Sequence, residues 1–104
     1  KFKGFGMDLL VEDQVCMLES RAAFAGSVAT TDRLVRTLYK EAQIPIADAV
    51  KMTTLTPARA INEHNHIGRL AEGYDADINI FDENINILAT MILGELYTNN
   101  LANN

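Results

Sequence analysis

Several residue types are scarce in this chain of 104 residues, and each scarcity excludes a class of protein. The only cysteine, Cys16, cannot form an internal disulfide, so a reducing compartment, the cytoplasm, is expected. No apolar run approaches the roughly 18 residues that span a bilayer, and residues 1–6 lack the long apolar core of a secretory signal. The sequence therefore predicts an intracellular protein with no membrane contact.

Basic residues are also few, since nine Lys and Arg stand against fourteen Asp and Glu, for a net charge of −5. A nucleic-acid surface normally shows a basic stripe, so a nucleic-acid partner is not expected. A chain of 104 residues has room for one domain with a modest core, and not for a large active-site architecture. The composition predicts a small, acidic α+β domain.

The N-terminal part of the chain is predicted to contain a β-hairpin. Residues 7–17 alternate apolar and polar positions around a polar turn, which is typical of two short strands. Phe2 and Phe5 precede this pattern and are expected to be buried anchors.

The middle of the chain is predicted to be helical. Residues 31–42 carry apolar side chains at helical spacing, and Pro45 introduces a second helix. The predicted inward-facing residues of these helices are Leu34, Val35, Leu38, Tyr39, Ala42, Ile46, Ala49, Val50 and Met52. A third helix over residues 57–62 is predicted, with Thr56 as its cap and Pro57 in the first helical position.

Beyond Gly68 the apolar period changes to two, which predicts a β-meander. We expect turns at Glu72-Gly73 and Gly94-Glu95, Ile85 within the strand region between them, and a frayed tail over residues 98–104. A small antiparallel sheet with few large side chains cannot bury its own apolar face. Either the helices cover this sheet or its partner is missing from the chain, and periodicity leaves both open.

Three groups of residues invite a chemical role, and for each we favour a structural interpretation. His64 and His66 have the spacing of strand metal ligands, but they follow a helix and are interpreted as a solvated connector. Asp75 and Asp77 share a strand face, as an acid–base pair would, yet no His or Lys accompanies them and a solvated turn is expected. Cys16 lies in an apolar run without a base, so it is predicted to be buried and unreactive.

The segment Phe24-Ala25-Gly26-Ser27 precedes a predicted helix and is the stronger candidate for a binding site. Gly26 would permit close approach of a ligand or a positive φ, and amides at a helix entry favour an anion or a polar sugar group. Gly-Ser before a helix is common, however, and on spacing alone a simple capping segment is favoured.

Several segments occur together in a fixed order and carry a family resemblance. They are Phe24-Ala25-Gly26-Ser27, Thr31-Asp32-Arg33-Leu34-Val35-Arg36, Ala49-Val50-Lys51-Met52, Thr56-Pro57-Ala58-Arg59-Ala60, and Ile67-Gly68-Arg69-Leu70 through Glu72-Gly73-Tyr74-Asp75-Ala76-Asp77. In this order they resemble the C-terminal part of the N-acetylglucosamine-6-phosphate deacetylases, a family of the amidohydrolase superfamily. The stretch G-x-L-x-x-G-x-x-A-D from Gly68 and the later Gly94 are typical of the superfamily, whereas Phe-Ala-Gly-Ser and the helix after it point to the deacetylases.

The resemblance implies that residues 1–66 form the end of a (β/α)8 barrel, and residues 67–104 form C-terminal strands of a composite β-sandwich domain. It implies hydrolysis of the acetamide of N-acetylglucosamine 6-phosphate to glucosamine 6-phosphate and acetate, with a divalent metal, Zn²⁺ or Fe²⁺, and a proton-exchanging aspartate. By the same resemblance the metal ligands and that aspartate lie outside this chain, which is expected to be inactive alone. Phe24, Ala25 and Gly26 match the family segment that contacts substrate.

The chain departs from the family at Ser20-Arg21-Ala22-Ala23, where an Asp-Gly or similar turn is usual. The expected partners are the amino-sugar phosphate and either the rest of the barrel or a second copy, in a homo-oligomer. Two alternatives stay open: a non-catalytic module that associates through its exposed sheet, and a fragment of a different amidohydrolase.

Overall fold

The computed structural model describes residues 1–98, which fall into two compact units, one over Lys1–Thr30 and one that begins at Thr31. Each unit contains an antiparallel sheet, and the helices are confined to the second, so the predicted α+β class is confirmed. Residues 1–98 form no closed barrel. Among them, no helix has the length and apolar character needed to cross a membrane.

The first unit is a four-stranded antiparallel sheet in which the strands pair in chain order. The strands are β1 (Phe2–Gly4), β2 (Met7–Glu12), β3 (Val15–Leu18) and β4 (Phe24–Gly26). The predicted hairpin is β2–β3, and its turn residues Asp13 and Gln14 have φ of 50° and 63°. Two successive positive φ values are typical of the type I′ turn, whose twist matches that of the flanking strands.

The predicted aromatic anchors of this unit are wrong. Phe2 is 47% exposed because it lies on an edge strand, and Phe5 is 96% exposed in the β1–β2 turn. The buried side chains are instead Leu9, Leu10 and, as predicted, Cys16. Leu9 and Leu10 are neighbours and therefore point to opposite faces of β2, so both faces of the sheet are partly covered.

The second unit opens with three short helices. These are α1 (Thr31–Arg36), which continues into a π-helical turn (Thr37–Glu41), α2 (Ile46–Thr53) and α3 (Leu55–Ala60). Val35 and Ala49 are buried as predicted. Other residues predicted to face inward are exposed, so their inward assignment is wrong: Leu34, Tyr39, Ala42 and Met52. The Ala42 N–H donates to the carbonyl of Thr37 at 3.0 Å, a five-residue step that widens the helix and departs from the 3.6-residue period on which the prediction rests.

Helix α3 begins earlier than predicted, at Leu55, and Thr56 is not its cap. The cap position is occupied by Thr54, whose hydroxyl donates to the carbonyl of Val50 at 2.8 Å and makes no capping bond. Pro57 is the third helical residue, which is tolerated because N–H groups in the first turn have no partner within the helix.

The second unit ends in a three-stranded antiparallel sheet of β5 (Ile78–Phe81), β6 (Ile87–Ile92) and β7 (Glu95–Thr98). Ile85 lies in the β5–β6 turn with φ of 60°, so its assignment to a strand is wrong. It is only 2% exposed and forms the core of the unit with Val35 and Ala49. Thr98 ends β7, and the rest of the predicted frayed tail, 99–104, lies outside the described residues.

The left-handed conformation of Ile85 is held by hydrogen bonds from both sides of the turn. Arg36 donates from Nε to the carbonyl of Asn84 at 3.0 Å and from Nη2 to that of Ile85 at 2.8 Å. Asp82 Oδ1 accepts the N–H groups of Asn84 and Asn86 at 2.9 and 3.0 Å. A β-branched residue with positive φ is strained and persists only where its surroundings over-determine it.

Candidate functional site

The segment Phe24–Gly26 is an edge strand and not the capping segment favoured on spacing alone. It pairs with β3 through Met17 and Cys16, with an irregularity between these two pairs. All three of its residues are exposed, and the ring of Phe24 is 78% exposed. The strand therefore presents an exposed aromatic side chain at the edge of the sheet.

Gly26 is not required by the conformation of the described chain. Its φ lies outside the left-handed region, and a Cβ built on its backbone meets no atom within 4 Å. Positive φ is therefore excluded as the reason for a glycine at this position.

The turn before this strand contains a residue in the left-handed conformation that is not a glycine. Arg21 has φ of 60°, and its N–H donates to the carbonyl of Leu18 at 2.8 Å. The guanidinium donates from Nε to Glu12 Oε2 at 3.1 Å, and this bond lowers the pKa of the Glu12 carboxyl from its ordinary value. The left-handed residue of this turn is thus Arg21, while Ala22 and Ala23 keep ordinary backbone angles.

The two histidines lie in a connector after α3, as interpreted from the sequence. His66 contacts Glu63 at 3.2 Å and Asn65 at 2.9 Å, and the carbonyl of His64 accepts the hydroxyl of Tyr74 at 2.7 Å. Within residues 1–98 no group of three or more His, Cys, Asp or Glu side chains is placed to hold a metal ion.

The two aspartates lie in the loop before β5 and not on a strand, and they make different contacts. Asp77 Oδ1 accepts the N–H of Leu93 at 2.8 Å, and the N–H of Asp75 donates to the carbonyl of His66 at 2.8 Å. The turn predicted just before them is confirmed, since the N–H of Tyr74 bonds the carbonyl of Ala71.

Gly68, the first residue of the motif, is required by packing. Its φ is 97°, and a Cβ there would lie 3.0 Å from the Cβ of Ala58 and 3.1 Å from the Cα of Leu55. The motif glycine therefore lets the chain cross closely over α3.

A groove of about 940 Å³ lies within the second unit, between the helices and the sheet. Its apolar lining includes Val35, Val50, Ile61, Ile67, Ile87 and Met91. This groove is mainly apolar, although Asp32, Arg69 and Asp77 also line it, so it differs in character from the exposed edge of β4.

Comparison with known proteins assigns the chain to a family. The sequence pattern of the amidohydrolase family matches residues 3–97. The chain belongs to the amidohydrolase family. This amidohydrolase chain is 35% identical over 83 residues to an N-acetylglucosamine-6-phosphate deacetylase of Lysinibacillus sphaericus, and 33% identical over 87 residues to an N-acetylgalactosamine-6-phosphate deacetylase of a Shewanella species.

Its fold matches that of a solved N-acetylglucosamine-6-phosphate deacetylase from Pasteurella multocida, with a TM-score of 0.86 and 26% identity over 94% of the chain. The alignments to the Lysinibacillus and Shewanella relatives cover 78% and 84% of this chain, but only 21% and 22% of the relatives' own length. The chain likewise spans 26% of the solved structure. It therefore corresponds to about a quarter of such an enzyme.

Amidohydrolases in general use a divalent metal ion. Within residues 1–98 the donor set does not fit one, because no three such side chains converge, the His66 ring bonds Asn65 and Glu63, and Asp77 accepts a backbone N–H.

Sequence reasoning missed the turn held by Arg36, Asp82 and Ile85. The spacing D-x-N-x-N over residues 82–86 is a local signal for a side-chain-capped turn. Nothing local signals that Ile85 points into the core or that Arg36, 49 positions away, bonds its carbonyl.

Proposed function

We propose that the full-length protein carrying this sequence hydrolyses the acetamide of N-acetylglucosamine 6-phosphate to glucosamine 6-phosphate and acetate. Water supplies the hydroxyl of the acetate and the proton of the amine. The observation that supports this most is the agreement of sequence and fold with deacetylases of that name over most of the chain. In this proposal the divalent metal, Zn²⁺ or Fe²⁺, and the catalytic aspartate are supplied by other parts of the polypeptide, in the cytoplasm.

Within that enzyme we assign substrate contact to Phe24, Ala25 and Gly26. An exposed aromatic ring can pack on the apolar C–H face of a sugar, and a glycine lets backbone approach a ligand closely. Two features support the assignment: the exposure of Phe24 and the absence of any steric or conformational need for glycine at position 26.

The test of this assignment is kinetics of the full-length enzyme with Phe24→Ala and Gly26→Ala. Both changes should raise KM for N-acetylglucosamine 6-phosphate, and Gly26→Ala should not lower the urea midpoint because its Cβ enters open space. Ala22→Ser, an exposed position in the preceding turn, is the matched control. Unchanged kcat and KM in both variants would contradict substrate contact by this segment.

A second experiment tests where catalysis resides. The 104-residue chain with added Zn²⁺ or Fe²⁺ should show no deacetylation, whereas the full-length enzyme should turn over substrate. Turnover by the chain alone would overturn the assignment of the catalytic groups to other parts of the polypeptide.

The choice of hexosamine is a further part of the proposal. The 33% identical relative carries the name of an N-acetylgalactosamine-6-phosphate deacetylase, so this sugar is the second candidate substrate. The ratio of kcat/KM values for the two sugars measured with the same enzyme decides between them. We expect the gluco sugar to be preferred, and a ratio favouring the galacto sugar would reverse the assignment.

We also propose that residues 67–104 belong to a composite β-sandwich domain and residues 1–66 to the end of the barrel, in a homo-oligomer. One face of the second sheet carries Ile78, Ile80, Ala89, Met91 and Leu96, as their pairing shows. Ile80 and Leu96 on this face are 54% and 56% exposed, which supports a covering sheet from elsewhere in the polypeptide.

Light scattering and urea unfolding of the 104-residue chain test this proposal. A chain that lacks its covering sheet should self-associate or unfold without cooperativity. A compact monomer that unfolds cooperatively would contradict it and favour the alternative of a self-standing module.

A further inference from the structure

The aspartate that ends the G-x-L-x-x-G-x-x-A-D stretch has no part in the proposed reaction, but it makes a specific contact with the β6–β7 hairpin. Ile92 pairs with Glu95, so the turn consists of Leu93 and Gly94, with φ of 48° and 81°. Both angles fit a type I′ turn.

A two-residue turn of this kind leaves the N–H groups of its two central residues without a partner across the hairpin. Here the Ala76-Asp77 dipeptide accepts hydrogen bonds from both of these N–H groups. The Leu93 N–H donates to Asp77 Oδ1 at 2.8 Å, and the Gly94 N–H donates to the carbonyl of Ala76 at 3.1 Å. Two elements of the superfamily pattern, the Ala76-Asp77 dipeptide and Gly94, therefore belong to the same contact.

We propose that Asp77 is a positioning residue that clamps the β6–β7 turn onto the loop before β5, and that it is not an acid–base group. A carboxylate accepts an N–H in a bond about twice as strong as a neutral one. Leu93 is a non-glycine residue in the left-handed region, and such a residue is retained where its surroundings fix it. The clamp supplies that fixation and holds the edge strand β7 in register.

Hydrogen exchange of the full-length protein, measured on peptides covering β6 and β7, tests the clamp without any substrate. In Asp77→Ala the amides of the turn should exchange about tenfold faster, since a hydrogen bond to a charged group is worth at least that factor. Asp77→Asn retains an acceptor oxygen and should fall between the wild type and Asp77→Ala. Asp75→Ala, two residues away on the same loop, should leave exchange in β6 and β7 unchanged.

The same substitution at Asp77 is also measured in a protein that carries a second change, in the turn itself. Leu93→Asn places a residue favoured in type I′ turns at the strained position, so Asp77→Ala should accelerate exchange less there than in the wild type. Equal effects of Asp77→Ala in both backgrounds, or equal effects of Asp77→Ala and Asp75→Ala, would overturn the clamp. A folded Asp77→Asn protein with normal exchange and lost turnover would establish an acid–base role instead. If Asp77→Ala does not fold, Asp77→Asn replaces it, and its effect on exchange is compared with and without Leu93→Asn.

Discussion

The buried turn residue Ile85 gives the sharpest prediction about stability. At most buried positions a change to glycine is worse than a change to alanine, by about 0.5–1 kcal/mol, because glycine loses more backbone entropy on folding. At Ile85 the order should reverse. Its φ is 60°, where alanine is disfavoured relative to glycine by roughly 1–2 kcal/mol.

The expected magnitudes follow from the burial of the side chain. Ile85 is 2% exposed and packs with Val35 and Ala49, so Ile85→Ala should lower the free energy of unfolding by about 2–5 kcal/mol. Ile85→Gly removes one more carbon but also removes the backbone strain. We expect Ile85→Gly to be as stable as Ile85→Ala, or more stable by up to about 1 kcal/mol.

Urea unfolding followed by circular dichroism compares the two variants in the full-length protein. Val35 provides the matched control because it is 6% exposed in the same core but lies in α1 with helical backbone angles. There Val35→Gly should be less stable than Val35→Ala by about 1 kcal/mol. A lower urea midpoint for Ile85→Gly than for Ile85→Ala, with the same order at Val35, would refute the left-handed assignment.

Changes at three other positions test the turns of the second unit. Gly68→Ala should lower the free energy of unfolding by about 2 kcal/mol or more in urea titrations, because it combines positive φ with a contact at 3.0 Å to Ala58. Leu93→Asn should raise it by about 1 kcal/mol, and Leu93→Val, β-branched at the same angle, should lower it. The pKa of Asp82 is below its ordinary value of 3.8 because the backbone and side chain of Asn86 donate to its carboxylate. The ionised Asp82 carboxylate therefore stabilises the fold at pH values above 3.8, and this stabilisation is lost as the pH falls through the lower pKa of the folded state. The urea midpoints of the wild type and Asp82→Asn should converge as the pH falls below 3.8. A constant difference between the two down to lower pH would contradict this role of the carboxylate.

The features that could be predicted from the sequence are those fixed by neighbouring residues. The hairpin over residues 7–17 and the Glu72-Gly73 turn follow from alternation and from turn-forming residues. The order of the motifs was sufficient to indicate the family, because each motif is a short run of consecutive residues. The assignment of Phe24–Gly26 to substrate contact also came from the motif order and stays a prediction.

The features that the sequence could not supply depend on contacts between distant parts of the chain. Phe2 lies on an edge strand and is half exposed, although its residue type favours burial. Met52 has a helical spacing that predicts burial, but burial also requires a neighbour on that side, and the described chain offers none that covers it.

The sequence by itself determined the α+β class, the main turns, the burial of Cys16 and the family, since local periodicity and short motifs carry them. Only the tertiary structure decided that Ile85 leaves the strand pattern to complete the core. Its conformation is unfavourable locally and is compensated by packing on α1 and α2 and by Arg36, 49 residues earlier. The same holds for Asp77, whose partner Leu93 is 16 residues further along the chain. In both cases the deciding interaction joins residues that no local pattern relates.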